Sequence, residues 1–395
     1  MPSFHLEDLL GQMPTLGASD LHIRSGQPPI MRIHGDLVRL DQYPVMSEQD
    51  TFDLMTAIMA ANQKERFIEN RILDMAYEME GVARFRVNVF WQQQCVGAVM
   101  RMIPIKIQSV EELGLPPILK EFSMLPRGLV LVTGPTGSGK STTLAAMVHH
   151  INNTRAAHIV TVEDPIEFVH QDIKCAVEQR EVGQDTTSFN EALRHVMRQT
   201  PDVILVGEMR DLETIQLAIT AAETGHLVFG TLHTTDAMQT VDRAVDVFPP
   251  DQQQQIRMQL SITLAAVVCQ ALLPIKGKPG RVPSFEIMKG TPAIHAVIRE
   301  GKTHMIYNFI QAGADDGMIV LDQYLAAMVR AETVTYEAAI AKSSYPKEFA
   351  KRCGEFAVVE EEGEEPITMG YAETEPAEPV AGYTHGQAQS GPAKR

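Results

Sequence analysis

The sequence predicts an α/β protein in which a small α+β domain precedes a larger domain built on a parallel sheet. From about Lys120 onward, short apolar runs alternate with longer helical patterns, and a glycine-rich loop follows one of these runs. Before residue 103, helices and strands are mixed without that alternation. Apolar runs of this kind suit a parallel sheet that is covered on both faces, and ligands bind where the strands of such a sheet end.

Length and composition are those of an ordinary globular protein of two or three domains. The chain has 395 residues, of which 44% are apolar and 21% are charged. The net charge of −16 argues against a non-specific nucleic-acid binder, which is usually basic. The four cysteines are far apart and include no CxxC pair, so neither a disulfide framework nor a zinc site is expected.

The N-terminus and the hydropathy pattern predict a cytoplasmic protein. The first residues, MPSFHLEDLLGQMP, lack the basic start and apolar stretch of a secretory signal. No apolar run approaches the roughly 18 residues that a transmembrane helix needs. Any association with a membrane is therefore expected to come through a partner.

The first domain is assigned to residues 1–103 and is followed by a linker at 104–120, where prolines flank a polar segment. Helical spacing predicts helices over Phe4–Met13 and Gln49–Glu69. Strands are predicted for Asp20–Ile23, Pro29–Val38 (with a turn at 34–36), Arg84–Val89 and Ala98–Ile103.

The second domain is assigned to residues 121–355. Its strands are predicted at Gly128–Thr133, Ala157–Val162, Asp202–Val206 and Leu227–Thr231. Its C-terminal portion is predicted to be helical, with helices over Gln252–Ala271, Ala293–Arg299, Met318–Arg330 and Thr335–Ala341. Residues 356–395, rich in Glu, Pro, Gly and Ala, are predicted to be a disordered acidic tail, because they cannot bury enough apolar surface to offset ordering.

A phosphate-binding loop is the strongest motif. Gly134–Ser141 fits GxxxxGK[ST], with an apolar run before it and a helical stretch after it. Glycines let backbone N–H groups close around phosphate oxygens, Lys140 supplies a positive charge, and Ser141 supplies a hydroxyl to Mg²⁺. The candidate nucleotide-binding residues of this loop are Gly134, Pro135, Thr136, Gly137, Ser138, Gly139, Lys140, Ser141 and Thr142.

Two acidic residues follow predicted strands. Glu208 comes after an apolar strand, where a Walker B carboxylate would help to hold Mg²⁺, although a surface glutamate at a strand end fits the pattern as well. Glu163 follows another apolar run and opens the segment Glu163–Glu167. It could orient or deprotonate an attacking water, or it could belong to an Asp-Pro turn.

Histidines and arginines leave two interpretations open. His226 and His233 bracket a short strand, and their spacing argues against a shared metal ion; each could simply be a hydrogen-bonded structural residue. Arg84 and Arg86 alternate on one predicted strand, and Arg101 lies on the next. These guanidinium groups could be solvated charges or ion pairs, or they could contact phosphate as an arginine finger does.

Six segments together resemble one known family. They are Ala18–Ile23 (ASDLHI), Arg84–Asn88 (RFRVN), Gly134–Thr142 (GPTGSGKST), Thr161–His170 (TVEDPIEFVH), Val206–Asp211 (VGEMRD) and Gly225–Ala237 (GHLVFGTLHTTDA). In this order they resemble the secretion and type IV pilus ATPases, and most closely the PilT family of pilus-retraction motors. The matching pieces span residues 20 to about 325.

The resemblance implies a RecA-like ATPase domain preceded by a PAS-like domain. It further implies a homo-hexamer with ATP at the subunit interfaces and Mg²⁺ held by Ser141 and by Glu208, directly or through water. Glu163 would activate or position the lytic water, His226 and His233 would sense the γ-phosphate, and arginines 84, 86 and 101 would reach a nucleotide of the same or a neighbouring subunit.

The subfamily assignment rests on features that the resemblance highlights. Assembly-type relatives usually have a longer N-terminus and a tetracysteine zinc insert, which this chain lacks. Retraction motors have an AIRNLIRE segment, and here Ala293–Glu300 reads AIHAVIRE, so that the middle three residues differ.

The expected function is an ATP-driven motor that drives pilus retraction and twitching motility from the cytoplasmic side of the inner membrane. Its expected partners are an inner-membrane platform protein and, in some systems, a paralogous retraction ATPase; no nucleic acid is expected. One alternative is a PilU-like accessory motor, and a RecA-like nucleic-acid motor is another. A non-catalytic nucleotide-binding scaffold is disfavoured by the intact set Lys140, Ser141, Glu163 and Glu208.

Overall fold

The computed structural model describes residues 4–33, 35–103 and 106–354, which form two β-sheets with helices packed against them. The tail predicted for 356–395 lies outside the described residues, as do His34 of the predicted turn and Pro104 and Ile105 of the predicted linker.

The first sheet has six antiparallel strands in the order β3-β2-β1-β6-β5-β4. The strands are β1 (Ala18–Arg24), β2 (Ile30–Ile33), β3 (Asp36–Arg39), β4 (Ile72–Met79), β5 (Ala83–Gln92) and β6 (Cys95–Ile103). Three helices accompany them: α1 (Leu6–Leu16), α2 (Glu48–Ala57) and α3 (Ala61–Asn70). The helical stretch predicted over Gln49–Glu69 is thus two helices.

Strand β5 shows how the sequence builds this unit. Phe85, Val87 and Val89 are buried in the core beneath the sheet, whereas Arg84 and Arg86 alternate with them and point to the other face. The predicted placement of both arginines on one face follows from this alternation.

The second sheet has seven strands in the order β13-β12-β7-β11-β10-β8-β9, all parallel except β13. The strands are β7 (Gly128–Thr133), β8 (His158–Glu163), β9 (Ala176–Glu181), β10 (Val203–Val206), β11 (Leu227–Leu232), β12 (Leu264–Pro274) and β13 (Arg281–Lys289). Every residue of β7, β10 and β11 is buried, as expected for central strands covered on both faces. The predicted α/β fold is confirmed.

Helices cover both faces of this sheet. They are α4 (Ile118–Ser123), α5 (Lys140–Thr154), α6 (Phe189–Val196), α7 (Leu212–Glu223), α8 (Ala237–Asp246), α9 (Pro250–Thr263), α10 (Pro292–Arg299), α11 (Ile306–Ala312), α12 (Leu321–Arg330), α13 (Tyr336–Ile340) and α14 (Pro346–Cys353). Leu129 and Leu131 of β7 pack into the core on one face with α6 to α11, and Val130 and Val132 pack on the other face with α4 and α5.

One predicted helix is wrong over its second half. The stretch Gln252–Ala271 was expected to be helical, but α9 ends at Thr263 and the chain continues directly as β12. Strand β12 lies between β7 and β13, and its side chains pack into the cores on both faces of the sheet, Val267 on one face and Val268 on the other. An apolar run buried on both faces has no polar alternation, and its pattern therefore does not distinguish a strand from a buried helix.

Besides β12, three strands were not predicted: β4, β9 and β13. Each of them is an edge strand of its sheet. Polar or charged side chains interrupt the apolar residues of each strand, as Asp74 does in β4, Glu178 in β9 and Glu286 in β13, so none of them shows the continuous apolar run of a central strand.

The residue-level domain boundaries and the PAS-like assignment of the first unit stay predictions. Within the described ranges, no helix is both long and apolar enough to cross a membrane.

Candidate functional site

The glycine-rich loop connects β7 to α5 in a conformation that two of its glycines make possible. Gly134 has φ 140°, and a Cβ at this position would lie 2.1 Å from the carbonyl oxygen of Gln270. Gly139 has φ 90° and caps the N-terminus of α5, with the Gln270 amide 2.8 Å from the position of a Cβ. The loop backbone therefore lies close against β12 at a helix N-terminus, where N–H groups and the helix dipole favour phosphate.

Gln270 supports this loop, and the sequence analysis missed it. Its Oε1 accepts a hydrogen bond of 2.7 Å from Thr143 Oγ1 in the first turns of α5, and both side chains are buried. The available signal was a polar residue inside the apolar run of β12. The signal could not be interpreted, because the run was predicted to be a helix and its neighbour β7 was therefore not expected beside it.

Lys140 lies within the loop that it is expected to serve. Its Nζ donates to the carbonyl oxygens of Gly134 and Pro135, at 2.8 and 3.2 Å. Burial lowers the pKa of Lys140, while the negative charges of Glu208 and Glu167 act in the opposite direction. The ammonium group is thus held over the loop, where it can exchange two weak carbonyl partners for phosphate oxygens.

Two hydroxyl groups of the loop differ in their exposure. Ser141 is exposed in the first turn of α5. The Oγ of Ser138 is buried and has no hydrogen-bond partner among the described residues. An unpartnered buried hydroxyl is unfavourable, and a bound phosphate would supply the missing acceptor.

Glu208 follows β10 after Gly207 and is held by two cationic or polar side chains. Its Oε1 lies 2.7 Å from His233 Nε2, and its Oε2 accepts a hydrogen bond of 2.6 Å from Arg210. The hydrogen bond from Arg210 holds the pKa of Glu208 below its ordinary value, with a further contribution from His233. Together with Arg243, these residues line a cavity of about 330 Å³.

Gly207 brings the ends of β10 and β8 together. A Cβ at Gly207 would lie 3.1 Å from both Glu163 Cα and Val162 O, so a larger residue would separate the two strands. The acidic residues that follow β8 and β10 consequently lie at neighbouring positions on the carboxyl edge of the sheet.

Glu163, the last residue of β8, has a carboxylate suited to proton transfer near neutral pH. Its Oε1 accepts hydrogen bonds from Thr161 Oγ1 at 2.7 Å and from Gln179 Nε2 at 3.2 Å. Burial raises the pKa of Glu163 to about 7, and the nearby negative charge of Glu167 adds to that effect. A carboxylate with this pKa can accept a proton at physiological pH and release it again.

The arginines of the first unit lie in ion pairs. Arg86 Nη1 lies 3.7 Å from Glu167, and Arg84 Nη2 lies 3.4 Å from the buried Glu181. The Arg86 pair joins the outer face of β5 to the loop that follows Glu163. The Arg84 pair joins the same face to strand β9. Arg101, whose side chain is 69% exposed, instead pairs with Asp20 at 2.9 Å.

His226 lies away from the site. Its carbonyl oxygen accepts from Gly128 N at the start of β7, whereas the phosphate-binding loop follows the other end of that strand. Its Nδ1 lies 2.8 Å from Ala221 O. The six residues of β11 lie between it and His233, and the seven residue steps of an extended strand span about 23 Å. Within one chain, only His233 therefore lies beside Glu208 at the carboxyl edge of the sheet, and the expectation that the two histidines sense the γ-phosphate stays a prediction.

The candidate Mg²⁺ ligands fit that ion. Ser141 and Glu208 supply the hard oxygen atoms that Mg²⁺ prefers, and few protein ligands are needed because water and phosphate complete its shell. Both carboxylate oxygens of Glu208 already hold a partner, which favours contact through water. In the described part of the chain, no group of three or more His, Cys, Asp or Glu side chains forms a metal site.

Comparison with known proteins finds a family and close relatives. Residues 5–342 match the model of the family described as type II/IV secretion system protein. The type IV pilus retraction ATPase PilT of Pseudomonas aeruginosa is 52% identical over 344 residues, which are 87% of this chain and 99% of that protein. The type IV pilus ATPase PilU of the same organism is 42% identical, over 85% of this chain and 87% of that protein.

A solved structure of the pilus retraction motor PilT also resembles this chain. The crystal structure of the pilus retraction motor PilT with bound ADP is 44% identical and superimposes with a TM-score of 0.82. The match covers 88% of this chain and 99% of that one.

Proposed function

The chain belongs to the type II/IV secretion system protein family, and we propose that it is an ATP-hydrolysing motor that drives retraction of type IV pili. The observation that carries this proposal is the gathering of Lys140, Glu163, Glu208 and His233 at one edge of the sheet. The chain is 52% identical to the retraction ATPase PilT and 42% identical to PilU, and this difference favours the main motor over the accessory one.

Binding of ATP is assigned to the loop residues 134–142. The backbone N–H groups at the start of α5 and the Nζ of Lys140 would hold the β- and γ-phosphates. Mg²⁺, held by Ser141 and through water by Glu208, would neutralise charge on the phosphate oxygens. Arg210 and His233 keep the Glu208 carboxylate ionised and oriented for that contact.

Hydrolysis is assigned to Glu163 as the group that prepares the water. The water oxygen bonds to the γ-phosphorus, the bond from that phosphorus to the bridging oxygen breaks, and ADP and phosphate leave. The proton of the water passes to the Glu163 carboxylate, whose pKa of about 7 suits that transfer. Arg84 and Arg86 of β5, which are held in ion pairs, would offset charge on the phosphate after exchanging their present partners.

Coupling to mechanical work is assigned to movement between the two sheet units. Arg84 and Arg86 contact the segment next to Glu163, so a change at the nucleotide alters the contacts between the units. We propose a cytoplasmic homo-hexamer docked on an inner-membrane platform protein of the pilus machine. A paralogous retraction ATPase is a further proposed partner, and a nucleic-acid motor is disfavoured by the net charge of −16.

Twitching motility and surface pilus number test the proposal in cells whose only copy carries Lys140→Ala or Glu163→Gln. A deletion, the wild type and Glu178→Gln, an exposed carboxylate outside the site, serve as controls. We expect both site variants and the deletion to be non-motile with excess pili, because assembly continues without retraction. Normal motility and piliation in the site variants would exclude a retraction motor.

Purified protein separates the remaining alternatives. ATPase activity that is lost in Glu163→Gln and unchanged by single-stranded or duplex DNA fits the pilus motor. Stimulation by DNA would favour a nucleic-acid motor. Activity in vitro together with retraction only in the presence of a second ATPase would favour the accessory role.

A further inference from the structure

Gln179 on β9 connects the candidate water-activating carboxylate to the loop that follows it. Its Nε2 lies 3.2 Å from Glu163 Oε1 and 2.8 Å from Phe168 O. Its Oε1 accepts a hydrogen bond of 2.7 Å from His170 N. Because a backbone N–H can only donate, the amide oxygen must face His170 and the NH₂ group must face Glu163. The network therefore fixes which way this side chain points.

The Glu163 carboxylate is held from two strands at once. Thr161, on the same strand β8, donates to Oε1, and Gln179 donates to the same oxygen from β9. Strands β8 and β9 are parallel neighbours with Thr161 opposite Gln179, so both donors come from one rung of the sheet. Two donors on one oxygen fix the rotation of the carboxylate about its terminal bond.

We propose that Gln179 is a positioning residue for ATP hydrolysis, holding the Glu163 carboxylate in the orientation that receives the proton of the attacking water. This inference rests on the proposed function of Glu163. A mobile carboxylate would meet the water in the correct geometry only part of the time, and such misplacement lowers the rate of the chemical step more than it lowers ATP binding.

The charged groups around Glu163 set the direction of the expected pH effects. Glu167 faces it from the following loop and is itself paired with Arg86 of β5. Glu181, two residues beyond Gln179 on β9, is paired with Arg84. At the end of β10, Glu208 is paired with Arg210 and His233. Hydrogen bonds from Thr161 and Gln179 favour the charged form of Glu163, and they lower a pKa that burial and Glu167 raise.

The test compares Gln179→Met and Gln179→Glu in the purified full-length protein, with Mg²⁺ and ATP, from pH 5.5 to 9. Methionine keeps the size and removes all three hydrogen bonds. Glutamate keeps an acceptor for His170 N but places a second carboxylate beside Glu163. For Gln179→Met we expect kcat at pH 7 to fall about tenfold, with KM within about twofold of the wild type.

The pH profile distinguishes positioning from a structural role. The acidic limb of kcat should move to higher pH by about half a unit in Gln179→Met and further in Gln179→Glu, because loss of a donor and then addition of a like charge raise the pKa of Glu163. Circular dichroism and ADP affinity, unchanged from the wild type, would show that the variants fold.

Glu178→Gln is the matched control. Glu178 is the neighbouring residue of β9, and its side chain is 56% exposed and points away from Glu163 toward His158. We expect its kcat and pH profile to match the wild type. Wild-type kcat and an unshifted acidic limb in both Gln179 variants would overturn the inference, whereas turnover in Glu163→Gln would overturn the proposed role of Glu163 instead.

Discussion

At the scale of single residues, two buried carboxylates, Glu163 in the site and Glu286 outside it, differ in pKa between the folded and unfolded chain. Burial raises the pKa of Glu163 to about 7, and it does the same for Glu286, which is 4% exposed and accepts from Ala237 N at 2.8 Å. Between pH about 4.5 and 7 the folded protein therefore binds more protons than the unfolded chain at these two positions, and stability falls as pH rises.

Glu163→Gln is expected to stabilise the protein at pH 8 while it abolishes turnover. Glutamine can accept the hydrogen bonds from Thr161 and Gln179, but it carries no charge that must be buried above pH 7. The gain in free energy of unfolding is expected to be on the order of 1 to 3 kcal/mol at pH 8 and to vanish near pH 4.5. Melting temperatures across this range measure it. An equal gain in stability at pH 4.5 and pH 8 would show that the buried charge of Glu163 is not its cause. The stability gain of the control Glu178→Gln should not depend on pH in this way.

At the scale of elements, the turn from β7 into α5 depends on the backbone of β12. Gly134 is in contact with the Gln270 carbonyl, whereas Gly137, at φ 78°, has open space around its Cβ position. The two glycines of one loop therefore differ in steric demand although both have positive φ.

Gly134→Ala should destabilise the protein without nucleotide far more than Gly137→Ala. A methyl group 2.1 Å from a backbone oxygen forces the loop away from β12, while alanine at Gly137 costs only about 1 kcal/mol of backbone strain. Melting temperatures in the absence of nucleotide compare the two. Equal losses would mean that the contact with Gln270 does not hold the loop.

At the scale of the whole molecule, the two sheet units have separate hydrophobic cores and meet through polar contacts. Arg84 pairs with Glu181, whose carboxylate also accepts from Ile166 N in the loop after Glu163. Arg66 donates a hydrogen bond of 2.9 Å to the carbonyl oxygen of Gly183, just after the end of β9. An interface made of polar contacts suits units that move against each other.

A double-mutant cycle on Arg84→Met and Glu181→Gln should give a coupling free energy of about 1 kcal/mol or more, because the side chains are only 17% and 8% exposed. The matched pair Arg86 and Glu167, 43% and 33% exposed, should give less than about 1 kcal/mol. Urea unfolding measures both cycles. Equal coupling in the two pairs would show that burial does not set the strength of this contact.

The sequence by itself determined the phosphate-binding loop, the parallel strands β7, β8, β10 and β11, and the acids that follow two of them. These features are local. Knowledge of distant partners is not needed to recognise a glycine pattern, a fully apolar run, or an acidic residue at a strand end. The same holds for Lys140, Ser141, Glu163 and Glu208, which lie where strand ends of a parallel sheet must lie.

Only the tertiary structure decided the edge strands β4, β9 and β13, the central strand β12, and the partners of the site residues. Polar residues break the apolar pattern of β4, β9 and β13, and the apolar run of β12 fits a buried helix as well as a strand. Gln179 meets Glu163, and Gln270 meets Gly134, because strand order brings together residues 16 and 136 positions apart in the chain. No local pattern encodes such pairs, since their contacts depend on how the whole sheet is assembled.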